Sequence, residues 1–356
     1  MKKLKAFSPL LLVLSLFIFA LSGCGSSKAS SQNNGELNFI GWSEYIPPKV
    51  IHNFEKKYHI KVNMTTYSSP EDMSAKVQSS AKGTYDMLLA PGMFAASFKK
   101  IGLLDKINKA KIPNFKNLGK AYISQGYDPD NHYSVPYLGT ITSIVVNKSK
   151  IKDDIDSYQD LLNPKYRKQM VVVDDQRAVI GAALMANGYD INATSAKALN
   201  AAKNYLTKLR PNIKIFDGDS PKTELMNGEA SLGLVYGGEI ALAMDKNPNI
   251  KVIYPKNQGV YFEADTFMKF KGAKNPAAVE KFMNYILDPK VITQCLKEFP
   301  YVNPNKAALK YLPKSYLNNP AKNVPQSIMK KTETVQDIGK ATTKYDKIWN
   351  NFKTQK

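Results

Sequence analysis

The feature that most constrains the fold of this chain is an alternation of short β-strands and amphipathic helices that begins near residue 36. Apolar runs of strand length occupy 37–40, 60–64 and 85–90. The segments between them carry apolar residues at three- and four-residue spacing, which is typical of helices. A strand–helix–strand–helix–strand order predicts a parallel sheet that is covered by helices on both faces.

The second half of the chain repeats this alternation without repeating the sequence. Residues 170–173 and 231–236 are buried-strand patterns, and 195–209 and 276–287 are amphipathic helix patterns. Two such units leave a cleft between them, and ligands of open α/β sheets bind beyond the carboxyl ends of the strands. The sequence therefore predicts two α/β lobes with a ligand site in the cleft.

The first 35 residues carry signals for export. A basic start precedes an apolar run at 9–21 that is too short to span a bilayer, and small residues lead to Cys24. We expect 1–23 to be a lipoprotein signal peptide, Cys24 to be lipidated, and the Ser/Asn/Gly-rich 24–35 to be a flexible tether. The protein would then be extracytoplasmic and held at the cell membrane by its lipid. An ordinary cleaved signal with an incidental cysteine is the alternative.

Charge and cysteine content limit the functional classes and the disulfide bonds that the chain can have. The formal net charge is +20, but the lysines are scattered and no nucleic-acid recognition motif is present, so we expect no nucleic-acid partner. A basic surface near an anionic cell envelope is the preferred interpretation. Cys295 is the only cysteine besides Cys24, so no intrachain disulfide framework is expected, and we predict a small buried apolar side chain there.

Sequence motifs of catalysis are absent. The chain has three histidines and no zinc-protease, phosphate-loop, nucleophile-elbow or paired-cysteine motif. The adjacent Asp174 and Asp175 are not an acid–base pair, because neighbouring side chains at a strand end point in different directions. We therefore predict a protein that is not an enzyme and that uses no cofactor and no metal.

Aromatic residues and carboxylates collect instead at predicted strand ends. Six of them stand out: Trp42, Glu44, Tyr45, Asp175, Tyr236 and Asp265. Ring faces combined with carboxylates suit an organic cation, because an ammonium group gains from both. The alternative is that the aromatic residues are core and the acids are helix N-caps.

The stretch LNFIGWSEYIPPKVIHNFEKKYHIKV (37–62) resembles the opening of the bacterial spermidine/putrescine-binding proteins, the substrate-binding components of polyamine ABC importers. Similar segments follow along the chain: YDMLLAP (85–91), YSVPYLGT (133–140), LLNPKYRKQMVVVDD (161–175), LMNGEASLGLVYGGE (225–239), AKNPAAVEKFMNYILDP (273–289) and YVNPNKAA (301–308). The match is most specific from Trp42 to Pro48.

This resemblance implies a two-domain, type II periplasmic-binding-protein-like clam shell of the α/β class. Each domain would be a mostly parallel sheet flanked by helices, and crossing strands would join the two. The expected first lobe is 36–144 plus 264–309, and the expected second lobe is 145–263 plus 310–356.

The resemblance also assigns ligand contacts. They are Trp42, Ser43, Glu44, Tyr45, Asp175, Tyr236, Asp265, Tyr301 and Gln336. The chain departs from the family pattern where Pro91-Gly92-Met93 replaces a Ser-x-Tyr segment and where Ala178 replaces a glutamate. Tyr236 stands where a tryptophan is usual. Met93, Phe262 and Glu263 are further candidates at or near the altered positions.

The implied function is that of a monomeric receptor that binds putrescine or spermidine and delivers it to a membrane permease and its ATPase. Two alternatives remain open. The same transport scaffold could be retuned to another small amine or a different solute, or the chain could be a surface protein with a vestigial pocket.

Overall fold

A computed structural model describes residues 35–355 of the chain. The predicted signal peptide, Cys24 and nearly all of the predicted tether lie outside the described residues. The strands are β1 (Glu36–Trp42), β2 (Lys61–Tyr67), β3 (Met87–Pro91), β4 (Leu104–Asp105), β5 (Val135–Asn147), β6 (Met170–Val172), β7 (Ile213–Phe216), β8 (Leu232–Tyr236), β9 (Ile250–Ile253), β10 (Val260–Phe270) and β11 (Thr332–Thr334).

The helices lie between and after these strands. They are α1 (Pro48–Tyr58), α2 (Pro70–Ser79), α3 (Met93–Lys100), α4 (Gln176–Ala186), α5 (Ala196–Leu209), α6 (Lys222–Met226), α7 (Gly237–Lys246), α8 (Pro276–Ile286), α9 (Pro289–Glu298), α10 (Lys314–Leu317), α11 (Gln326–Met329) and α12 (Thr342–Thr354). No helix among the described residues is long and apolar enough to cross a membrane.

The strands form one continuous mixed sheet with the main order β2-β1-β3-β10-β5-β8-β6-β7. At one end β1 pairs in parallel with β2 and β3, and at the other end β6 pairs in parallel with β7 and β8. The sequence predicted parallel strands in both places. We call these regions the β1–β3 half and the β6–β8 half.

Two long strands, β5 and β10, join the halves. Both are buried at every position, and β10 carries the charged Glu263, Asp265 and Lys269 among its buried residues. They pair antiparallel with each other, while β10 also pairs antiparallel with β3 and β5 with β8. The prediction that the Asp265 stretch crosses back to the first unit is confirmed, because Asp265 pairs with Pro91 of β3.

Each half has its own apolar core. In the β1–β3 half, Phe39, Phe54, Phe267 and Phe282 pack ring against ring with centroids 4.9–6.1 Å apart. Cys295 is fully buried in the same core, as predicted. A separate core in the β6–β8 half packs α4, α5 and α12 together.

Helix starts follow capping rules that the sequence displays. Ser69 accepts the backbone N–H of Asp72 at the start of α2, and Ser195 accepts that of Ala198 at the start of α5. Pro48 opens α1, where its missing N–H costs no helical hydrogen bond. This fixes the short loop between Trp42 and the helix, which is the loop on which the site depends.

Candidate functional site

Asp265 is the anchor of the site, and both of its carboxylate oxygens are held by side chains from the loop after β1. Trp42 Nε1 donates to Oδ1 at 3.1 Å, and the Tyr45 hydroxyl donates to Oδ2 at 2.7 Å. The sheet order brings them together, because β3 lies between β1 and β10 and Asp265 is opposite the last residue of β3. Two residues 220 or more positions away from Asp265 therefore orient one carboxylate.

Aromatic rings surround this carboxylate. Tyr45 packs edge-on against Tyr301, with centroids 5.0 Å apart, and Trp42 packs on Tyr67 at 4.4 Å. The Tyr301 ring lies close to the backbone of Gly238, where an added Cβ would stand 2.7 Å from the ring. Tyr45 is buried, whereas Trp42 keeps part of its surface exposed. The rings therefore form a wall with accessible faces next to Asp265.

Asp175 combines the two roles that the sequence left open. Its Oδ1 caps α4 by accepting the backbone N–H groups of Arg177 and Ala178 at 2.9 and 3.0 Å. Its Oδ2 accepts the Tyr236 hydroxyl at 3.0 Å. Tyr236 is therefore tied to an acid of its own half of the sheet. The carboxylate serves as an N-cap and also lies in a cavity.

Glu263 lies two residues before Asp265 on β10 and so on the same face of the strand. It is buried, and its Oε2 accepts the Tyr261 hydroxyl at 2.8 Å. Its Oε1 is buried without a hydrogen-bond partner among the described residues. A buried carboxylate oxygen without a donor is costly, so this atom can accept a hydrogen bond from a group that enters the cavity.

Burial raises the pKa of each of the three buried acids. Burial raises the pKa of Asp265 to about 6, against the donors Tyr45 and Trp42. Burial raises the pKa of Glu263 well above its usual value, and the neighbouring Asp175 and Asp265 raise it further. Burial also raises the pKa of Asp175, although the backbone of Ala178 and the Tyr236 hydroxyl oppose it. A cation placed among them would lower all three pKa values.

Two concavities open at these groups. The first encloses about 400 Å³, open to solvent, and is lined by Trp42, Glu44, Tyr45, Thr140, Gly218, Asp219, Tyr236, Asp265 and Tyr301. The second encloses about 1310 Å³, also open to solvent, and its lining includes Met93, Asp175, Arg177, Tyr261 and Glu263. Nine of the predicted site residues thus line one concavity or the other.

Three predicted residues are placed differently. The Ser43 hydroxyl donates to Asp219 Oδ1 at 2.6 Å, at an exposed position outside both linings. Phe262 lies outside both linings, because strand alternation turns it to the opposite face from Glu263, where it packs against Val302 and Ile141.

Gln336 also lies outside both linings. It is exposed, and its hydrogen bonds to Arg177 and Asn192 use the backbone: its carbonyl accepts Arg177 Nη1 at 2.9 Å, and its N–H donates to Asn192. The segment therefore supports Arg177 through its main chain.

Sequence reasoning missed three residues of the first concavity and its rim. Asp219 lies in the turn after β7, and Lys222 opens α6 just beyond it. Thr140 lies on β5 beside Glu263 of β10. The run FDGDSPK after a strand end was a usable signal for the first two, because polar turn residues at a strand's carboxyl end gather at ligand sites.

Comparison with known proteins identifies the family of the chain. The family model described as bacterial extracellular solute-binding protein matches residues 49–324. The spermidine/putrescine-binding periplasmic protein of Escherichia coli is 34% identical over 330 residues, covering 92% of this chain and 94% of the relative.

Solved structures agree. A putative spermidine/putrescine ABC transporter protein from Listeria monocytogenes superposes with a TM-score of 0.85 at 28% identity, over 90% of this chain and 99% of that one. A lipoprotein of Treponema pallidum gives a TM-score of 0.80 at 26% identity, over 89% and 99%. The predicted α/β clam-shell fold is confirmed. The chain belongs to the bacterial extracellular solute-binding protein family, to which its sequence match over most of its length assigns it.

Proposed function

We propose that the chain is the extracytoplasmic substrate-binding component of an ABC importer and that it binds a polyamine, putrescine or spermidine. The observation that carries the proposal is Asp265, a buried carboxylate held at both oxygens by Trp42 and Tyr45 inside a ring-lined concavity. The relatives named for spermidine and putrescine binding support the choice of ligand.

The site chemistry favours a cation over an anion or a neutral solute. Asp175, Glu263 and Asp265 are buried, and all three have raised pKa values. Three ionised carboxylates in a buried site without a cation are unfavourable in free energy, and a bound ammonium group stabilises them. Exposed ring faces add cation–π attraction and apolar contact for the methylene groups.

The acids provide for the two ends of a diamine. One ammonium would lie at Asp265 with Trp42 and Tyr301, and the other at Glu263, whose Oε1 is without a donor, and Asp175. The carbon chain would run along the ring faces of Tyr236 and Tyr261. In this arrangement Glu263 binds the ammonium group in place of the family's glutamate, where this chain has Ala178.

Delivery and anchoring complete the proposal. The protein would act as a monomer, tethered by lipid at Cys24 and carrying its ligand to a permease with an ATPase subunit. Closure of lobe 36–144 plus 264–309 on lobe 145–263 plus 310–356, about β5 and β10, would enclose the ligand. The export signal and the Treponema lipoprotein of similar structure support this.

The test is a thermal-shift panel on the purified mature chain with putrescine, spermidine, γ-aminobutyrate and glutamate. A ligand at a hundred times its Kd stabilises a protein by about 2.7 kcal/mol, which shifts Tm by several degrees. We expect a shift with the polyamines, its loss in Asp265→Ala, and its retention in Asp156→Ala, a partly exposed acid paired with Lys256. No shift with millimolar polyamine would overturn the proposal.

A further inference from the structure

Lys222 holds an ammonium group at the rim of the first concavity, between two carboxylates. Its Nζ lies 2.9 Å from Glu239 Oε2, 3.0 Å from Glu44 Oε2 and 2.8 Å from the Ser220 hydroxyl. An ammonium has three N–H donors, and here three oxygens lie within hydrogen-bond distance. The side chain of Lys222 is only 16% exposed and that of Glu239 only 2%, whereas that of Glu44 is 49% exposed. The ammonium is therefore enclosed on the Glu239 side and reaches solvent at Glu44.

Both carboxylates belong to the surroundings of the proposed ligand. Glu44 lines the first concavity together with Asp265 and Tyr301. Glu239 is 2% exposed in the first turn of α7, and burial raises its pKa to about 7 against the effect of Lys222. Burial of Tyr301 raises the pKa of its hydroxyl, and Glu239, Asp265 and Glu44 raise it further. Tyr301 therefore lies close enough to Glu44 and Glu239, as well as to Asp265, to interact electrostatically with all three.

Lys222 itself is charged in this setting. Burial lowers the pKa of an ammonium, but Glu239 and Glu44 outweigh it and raise the pKa of Lys222 above its usual value. The rim of the first concavity thus already carries one cation, held at Glu44 by oxygens of the kind that a primary amine of a ligand would need.

We propose that Lys222 is a specificity-determining residue whose ammonium occupies a cation subsite formed by Glu44 and Glu239, so that the cleft accepts a ligand with two ammonium groups in preference to one with three. This rests on the proposed function. A third ligand ammonium at this end would meet the like charge of Lys222 instead of two free carboxylates, whereas a diamine uses only Asp265 and the Glu263–Asp175 pair.

A purely structural role for Lys222 predicts something different. Glu44 lies in the loop after β1, while Ser220 and Glu239 belong to the β6–β8 half, so the lysine also ties the two halves together. The Ser43–Asp219 hydrogen bond does the same. Loss of such a tie would change the affinities for all ligands in parallel, because it acts on closure and not on one ligand charge.

The experiment is calorimetric titration of putrescine and spermidine into the wild-type chain, Lys222→Met and Lys256→Met. Methionine keeps the unbranched apolar stem and removes the charge. Lys256 is an exposed lysine paired with Asp156 and is the matched control. We expect the ratio of spermidine to putrescine affinity to rise about tenfold or more in Lys222→Met and to stay unchanged in Lys256→Met.

The double variant Lys222→Met/Glu239→Gln guards against misfolding and tests the subsite itself. It leaves no buried unpaired acid at position 239. The rise in the ratio of spermidine to putrescine affinity should be smaller than in Lys222→Met, because the subsite has lost a carboxylate. Parallel change or no change of the two affinities in folded Lys222→Met would overturn the inference while leaving polyamine binding intact. If neither wild type nor the variants bind any polyamine, the inference and the proposed function both fall.

Discussion

A single carboxylate, Asp265, carries most of the argument at the scale of residues. Its two oxygens are held by Trp42 and Tyr45, yet burial still raises its pKa to about 6. Folding thus keeps an acid in a place where its charge is disfavoured until a cation arrives. Strained or uncompensated groups of this kind are typical of binding sites.

Removing this charge should trade function for stability. In Asp265→Asn the amide oxygen can still accept Trp42 Nε1, and the amide nitrogen can donate to the Tyr45 hydroxyl, which also accepts. We expect an unchanged or higher Tm without ligand at neutral pH and no polyamine-induced shift, as measured by thermal denaturation. A large loss of stability would instead show that Asp265 serves the fold.

Trp42 gives a second residue-scale prediction. Because it is only partly buried, Trp42→Ala should lower polyamine affinity by about three- to thirtyfold, the range expected for a cation–π contact. Its cost in unfolding free energy should stay below the roughly 3–5 kcal/mol of a fully buried aromatic residue. Trp42→Phe, which keeps a ring, is the control, and calorimetry with chemical denaturation measures both effects. A core-sized loss in Trp42→Ala with unchanged affinity would contradict a binding role.

At the scale of elements, α4 depends on the same acid that faces the cavity. Asp175 caps the helix with Oδ1 and accepts Tyr236 with Oδ2. Asparagine is an equally good N-cap, whereas alanine forfeits about 1 kcal/mol. The two functions of Asp175 can therefore be separated by choice of substitution.

We expect Asp175→Asn and Asp175→Ala both to weaken polyamine binding, and only Asp175→Ala to lose about 1 kcal/mol of unfolding free energy through the cap. Urea denaturation and calorimetric titration together measure the pair. Wild-type affinity in Asp175→Asn would mean that the residue is an N-cap and nothing more.

Elements were predictable from sequence where local chemistry decides them. The helix predicted at 195–209 is α5, and Ser195 caps it. Such a feature depends on a few neighbouring residues. Trp42 and Tyr45 were predicted as site residues because they follow the end of a strand, where ligands of α/β sheets bind.

Features that depend on long-range pairing were beyond the sequence. The placement of Glu263 opposite Thr140 required the register between β10 and β5. Gln336 contributes backbone atoms, which no side-chain pattern reveals. Lys222 meets Glu44 across 178 positions, and one lysine among the many in this chain gives no sign of such a partner.

For the whole molecule, the buried acids link stability to pH. The folded pKa of Asp265, about 6, lies above its usual value of 3.8, so the folded state binds this proton more tightly than the unfolded chain does. Its contribution to stability is fully present below the unfolded pKa and is lost as pH rises through about 6. Glu239, with a pKa of about 7, acts in the same direction.

We therefore expect the Tm of the ligand-free protein to rise as pH falls from about 8 towards 5.5, while the shift caused by putrescine shrinks. The second effect follows because the ligand must displace protons from the acids that it binds. Asp265→Asn should flatten the first trend and show no putrescine shift at any pH. A putrescine shift that is independent of pH over this range would show that ionisation of these acids plays no part in binding.

Binding of a polyamine among buried acids can be tested by calorimetry. Putrescine is titrated into the wild-type chain in two buffers of different ionisation enthalpy. We expect saturation at one ligand per chain and release of protons to the buffer near pH 6. The affinity for putrescine should fall as the pH is lowered. Absence of binding at millimolar putrescine, or binding with no proton release, would contradict it.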